Sequence, residues 1–229
     1  MSDLRGAAFL VTGASGGLGH LLAQRLADRG ARLVVSARDV ARLDGVPGHP
    51  VAADLSAAGE PERLVAAAVA HLGGLDGLVH AAGAVAFGAV GDTDDDLLDD
   101  VFLLDAIGPI RLLRSALDPL RRAAAERGSA VAVLLTGVVA EQPQPGMAAY
   151  CAAKAALSAF AAATAREVRR EKVRVLDVRP PHTETGLATR PLAGTAPRLP
   201  PGLSPDTVAD RIVAAIVDDE RDLPASAFG

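Results

Sequence analysis

Apolar positions in this chain follow two periods that alternate along its length. Short continuous apolar runs of strand length stand at 7–12, 32–36, 51–53, 75–80, 130–135 and 173–178. Between them apolar residues recur at helical spacing, which predicts helices over about 21–27, 60–71, 93–125, 149–171 and 206–219. The 93–125 pattern contains Gly108-Pro109, where a kink is expected. Strands that alternate with helices predict βαβ units and a parallel sheet covered on both faces. The Pro- and Gly-rich stretch 180–205 reads as a mobile loop, with 186–204 lying over the substrate side. No repeat and no long linker interrupts the order. The expected fold class is therefore α/β, a doubly wound parallel sheet in a single domain spanning 1–229.

Composition narrows the classes of function. Half of the 229 residues are apolar but only 3% are aromatic, so the core must be built from Ala, Val and Leu. The net charge of −5 and the lack of a basic stripe argue against nucleic acid. A single cysteine, Cys151, excludes an intramolecular disulfide and suits a reducing compartment. The start, Met1 to Gly6, carries no apolar leader region, and no apolar run approaches the roughly 20 residues that span a bilayer. A cytoplasmic protein without membrane partners is expected. The acidic run Asp92, Asp94, Asp95, Asp96, Asp99 and Asp100 opens a helix, where carboxylates suit the dipole, and no metal site is read there.

In doubly wound sheets ligands sit beyond the carboxyl ends of the strands. After the first strand comes Thr12-Gly13-Ala14-Ser15-Gly16-Gly17-Leu18-Gly19, which opens into a helix. Free N–H groups and the positive helix end then point at one place, and glycines let a phosphate approach closely. Gly13, Ser15, Gly17, Leu18 and Gly19 are thus candidates for holding a dinucleotide. After the second strand stands Arg38, whose charge suits a 2′-phosphate and favours NADP(H) over NAD(H); Asp39 follows it. Farther on, Tyr150-Cys151-Ala152-Ala153-Lys154 places a phenol and an ammonium on one helix face. A phenol normally titrates near 10, and a neighbouring ammonium lowers that value, which fits Tyr150 to exchange a proton with a carbonyl oxygen.

Thr-Gly-x3-Gly-x-Gly followed by Tyr-x3-Lys resembles the short-chain dehydrogenase/reductase family over nearly the whole chain. The resemblance implies a Rossmann-type fold and an NAD(P)-dependent oxidoreductase acting on a carbonyl or alcohol of a small molecule. It implies that Lys154 also holds the nicotinamide ribose. It gives Asp54 and Leu55 to the adenine, Ala82 and Gly83 to the cofactor cleft, and Pro180, Thr183 and Thr185 to the nicotinamide side. A homodimer or homotetramer is implied as well, and the Ala-rich helix 152–165 suits close packing between subunits. His80-Ala81-Ala82-Gly83 stands where the family has Asn-Asn-Ala-Gly, and Pro181 replaces a Gly.

Two positions depart from the pattern. The family's catalytic Ser, thirteen residues before the Tyr, is Gly137 here; Thr136 beside it can supply a hydroxyl if the strand end bulges. The family's relay Asn is Asp105, whose charge is expected to hold Lys154 in an ion pair and offset its pull on Tyr150. Two other readings therefore stand beside the reductase: a nucleotide-binding protein without redox turnover, and a redox-neutral enzyme that uses Tyr150 for proton transfer.

Overall fold

The computed structural model describes residues 3–229, so Met1 and Ser2, where the sequence leads one to expect no leader, lie outside it. Six parallel strands form one sheet: β1 (Ala8–Thr12), β2 (Arg32–Ala37), β3 (His49–Ala52), β4 (Gly77–His80), β5 (Ala130–Leu135) and β6 (Val173–Val178), in the order β3-β2-β1-β4-β5-β6. This is the doubly wound order, and its switch point falls between β1 and β4. Alternation along the central strands splits the core. Val11, Val35, Val79, Val133 and Leu176 face α1 (Gly17–Asp28) and α6 (Pro205–Val217). Leu10, Leu78 and Leu134 face α2 (Glu60–Leu72), α4 (Gly108–Arg127) and α5 (Ala148–Glu167).

Several boundaries differ from expectation for identifiable reasons. β3 begins earlier, at His49, because it is an edge strand and tolerates Pro50. The long helix at 93–125 is two helices, α3 (Asp95–Phe102) and α4, joined by a π-helical turn at Leu103–Ile107 just before the expected kink. The stretch 180–205 is tied down rather than free. Leu203 N–H donates to the His182 carbonyl and Glu184 N–H to the Leu203 carbonyl, which closes its neck. Leu192 N–H donates to the Val85 carbonyl and Phe87 N–H to the Ala193 carbonyl, which straps its middle to the segment after β4.

Among the described residues one stretch, Ala148–Glu171, has the length and composition to cross a bilayer. Its alanines account for this, and Leu157 and Ala161 pack it against the sheet.

Candidate functional site

The glycine-rich turn after β1 is shaped for a pyrophosphate. Gly13 has a φ of +71°, and a Cβ there would lie 2.4 Å from the Ala82 nitrogen. A Cβ on Gly19 would lie 2.2 Å from the Gly13 carbonyl oxygen. Gly16 precedes α1 and offers its N-terminal N–H groups no side-chain cap, so they are left for a ligand. Thr185 closes over this turn, its Cβ 2.9 Å from where a Gly17 Cβ would stand. The residues present therefore fit a dinucleotide.

Around that cradle the other candidates take distinct places. Arg38 leaves β2 exposed, and among the described residues no hydrogen bond or ion pair engages it. The Asp39 carboxylate is turned away to accept the Ala41 N–H at 3.0 Å, capping the short turn Val40–Leu43. Asp54 accepts from the Ser56 N–H and hydroxyl, an exposed turn, while Leu55 is buried. The Pro180 carbonyl accepts the Val138 N–H at 2.9 Å, and the Thr183 hydroxyl donates to the Pro181 carbonyl at 2.9 Å. His182 Nε2 stands 3.5 Å from Glu184 Oε1 within the neck of the loop.

At the other side of the switch point α5 presents Tyr150 and Lys154, both buried. Lys154 Nζ lies 5.8 Å from the centre of the Tyr150 ring. It donates to the Leu135 carbonyl at 3.1 Å and pairs with Asp105 Oδ1 at 3.1 Å. The π-helical turn brings Asp105 here, and Gly83 permits the approach: a Cβ there would lie 2.6 Å from Asp105 Oδ1. Burial raises the Asp105 carboxyl above its ordinary value, and Lys154 partly opposes this. Burial alone would lower the Lys154 ammonium, but Asp105 and Tyr150 together hold it above its ordinary value.

Tyr150 behaves differently from the expectation of a lowered phenol. Burial pushes it up to about 12; Lys154 pulls it down, but Asp105 and Cys151 work against that pull. Burial has outweighed the ammonium. His80, fully buried at the end of β4, shares a hydrogen bond of 2.9 Å with the Thr12 hydroxyl, and its Nε2 has no partner among the described residues. Burial, and next the Lys154 charge, hold this imidazole down at about 3, so it stays neutral.

The end of β5 is distorted at Thr136. The Thr136 and Gly137 N–H groups both donate to the Val178 carbonyl, at 2.9 and 3.2 Å. It turns the Thr136 hydroxyl to Asp177, to which it donates. Asp177 also accepts from the Ser158 hydroxyl and from Arg179, and Arg179 reaches Glu141 and Asp222 as well. Sequence reasoning missed this network, although a carboxylate inside an apolar strand with Arg179 two residues later was a visible signal. It missed the Thr12–His80 pair too. Gly137 has a φ of +85°, with only Val139, at 4.0 Å, near the place of a Cβ.

Comparison with known proteins agrees with this fold. The short chain dehydrogenase family profile matches residues 7–193. An uncharacterized oxidoreductase of Methylorubrum extorquens is 32% identical, over 96% of this chain and 94% of its own. A short-chain dehydrogenase from Streptomyces avermitilis superposes with a TM-score of 0.84 at 28% identity, covering 96% of this chain and 89% of that one. The 3-ketoacyl-(acyl-carrier-protein) reductase from Brucella melitensis, complexed with NADH, gives 0.86 at 26% identity over 97% of both chains. A doubly wound sheet with a glycine cradle and a Tyr-x3-Lys helix defines a nicotinamide-dependent oxidoreductase fold. This chain belongs to the short-chain dehydrogenase family.

Proposed function

We propose that this chain is an NADP(H)-preferring oxidoreductase that reduces a small-molecule carbonyl or oxidises the matching alcohol. The observation that carries the reading is the Tyr150–Lys154 pair on α5, with Lys154 fixed by Leu135 and Asp105 beside the glycine cradle. Gly13, Ser15, Gly17, Leu18 and Gly19 would hold the pyrophosphate, and Asp54 and Leu55 the adenine. Ala82, Gly83, Tyr150, Lys154, Pro180, Thr183 and Thr185 would hold the nicotinamide half. When bound, the reduced cofactor supplies the hydride. Tyr150 donates its phenolic proton to the carbonyl oxygen, and the Lys154 ammonium stabilises the phenolate that remains.

The NADP(H) preference is supported by Arg38, which is exposed without a partner among the described residues, while the competing Asp39 carboxylate serves as a cap. Turnover is expected to be slow. Gly137 provides no hydroxyl, and the one proton of the Thr136 hydroxyl is engaged by Asp177. The same facts, with Asp105 drawing on the Lys154 charge, favour a second reading in which nucleotide binds without redox turnover.

We extend the proposal to a cytoplasmic homodimer or homotetramer. Exposed alanines on α5 (Ala152, Ala156, Ala159 and Ala163) suit a subunit contact, and the buried free thiol of Cys151 suits a reducing compartment. The test is a fluorescence titration with NADPH and NADH, then a carbonyl panel followed by loss of NADPH absorbance. Binding of NADPH with turnover of any carbonyl supports the reductase; binding without turnover across the panel selects the second reading.

A further inference from the structure

We infer that the substrate end of the cleft selects small uncharged carbonyl compounds and rejects anionic ones, including substrates presented on acidic carriers. Tyr150 belongs to an apolar cluster with Val85, Phe87, Val101 and Ala153. At the first turn of α5 lies a cavity of about 240 Å³ walled by Phe87, Leu97, Met147, Ala149 and Gly194, reached from Tyr150 through the Phe87, Met147 and Ala149 it clusters with rather than lined by Tyr150 itself. That volume is below the usual range for drug-sized ligands and suits a small occupant.

The roof is built into the fold. The Leu192–Val85 and Phe87–Ala193 backbone bonds hold the strap in place. Gly194 is required there, since a Cβ would lie 1.9 Å from the Phe87 carbonyl oxygen. Among the described residues no Lys or Arg lines the cavity; its one charged lining residue is Asp92. Exposed Asp94, Asp95 and Asp96 follow Asp92 in the chain at the start of α3, adding negative charge on that side. Arg190 and Arg198 belong to the strap but are exposed and line none of it. A carboxylate or phosphate entering here would lose water, meet no cation and face like charge.

This inference rests on the oxidoreductase reading only for the identity of the reacting group. Its test uses a matched pair of ketones, methyl 4-oxopentanoate and 4-oxopentanoate. Met147 is one of two methionines, so ¹³C-methyl labelling of the full chain gives a resolved signal from the cavity wall. The expected result is a Met147 shift on titration with the ester and at least about tenfold weaker binding of the acid at low salt. The gap should narrow at high salt and in Asp92→Lys. Equal or tighter binding of the acid overturns the inference, as does a Met147 signal that neither compound moves. NADPH oxidation in the same samples is read separately: an ester that binds but is not reduced leaves this selectivity standing, and the reductase reading is decided by the whole carbonyl panel.

Discussion

Asp105 Oδ1 stands 3.1 Å from Lys154 Nζ, both groups are buried, and the pair sets the charge beside Tyr150. In Asp105→Asn the ammonium keeps a neutral neighbour, and its pull on the phenol is no longer opposed. Alcohol oxidation needs the phenolate, so its rate rises with pH toward the Tyr150 value of about 12. The substitution should move that limb to lower pH and raise oxidation at fixed alkaline pH on the order of tenfold. It should also destabilise the fold by about 3–5 kcal/mol, because a buried charge loses its partner. A pH–rate profile and a denaturant titration check both.

The glycine at position 137 has open space where a side chain would stand, but its φ of +85° suits no L-residue. Gly137→Ser should raise the carbonyl reduction rate by about tenfold or more, since a donor of this kind is worth 10²–10³ elsewhere. The strained backbone should cost about 1–3 kcal/mol of stability. Steady-state kinetics beside thermal melts measure the two effects together.

How far these residues were legible in the sequence depends on which forces place them. The glycine cradle was legible because positive φ at Gly13 and close approach at Gly13 and Gly19 admit no other residue. The i, i+4 spacing of Tyr150 and Lys154 is a property of one helix, and β5 and β6 were plain from apolar run length. The π-helical turn at Leu103–Ile107 was not, because its apolar spacing still reads as helix and its register is set by tertiary contact with Lys154. The pinning of 180–205 rests on backbone bonds to Val85 and Phe87, which composition does not encode. The Tyr150 phenol went the other way from expectation because burial, invisible in a spacing pattern, outweighed the neighbouring charge.

The neutral His80 links stability to pH. Its folded value is about 3 against an ordinary 6.5, so between these values the unfolded chain binds a proton that the folded one does not. Stability therefore falls as pH drops through that window, by roughly 1.4 kcal/mol per unit from this residue. His80→Asn should remove about one proton's worth of that slope. Urea midpoints at pH 7 and pH 5 for both proteins provide the comparison.

Arg38→Glu should weaken NADPH binding by about tenfold or more, through loss of a charge-assisted contact to the 2′-phosphate. NADH binding should change little. Equal losses for both nucleotides would place Arg38 outside the 2′-phosphate site.

The central claim is that Tyr150 is the proton donor in a nicotinamide-dependent carbonyl reduction. Single-turnover loss of NADPH absorbance with a neutral ketone, in the parent chain and in Tyr150→Phe, tests it most directly. The account predicts oxidation in the parent, a loss of about 10²-fold or more in the variant, and NADPH affinity unchanged within a few-fold. Oxidation at the same rate in Tyr150→Phe, or bound NADPH that no ketone oxidises in the parent, would contradict it.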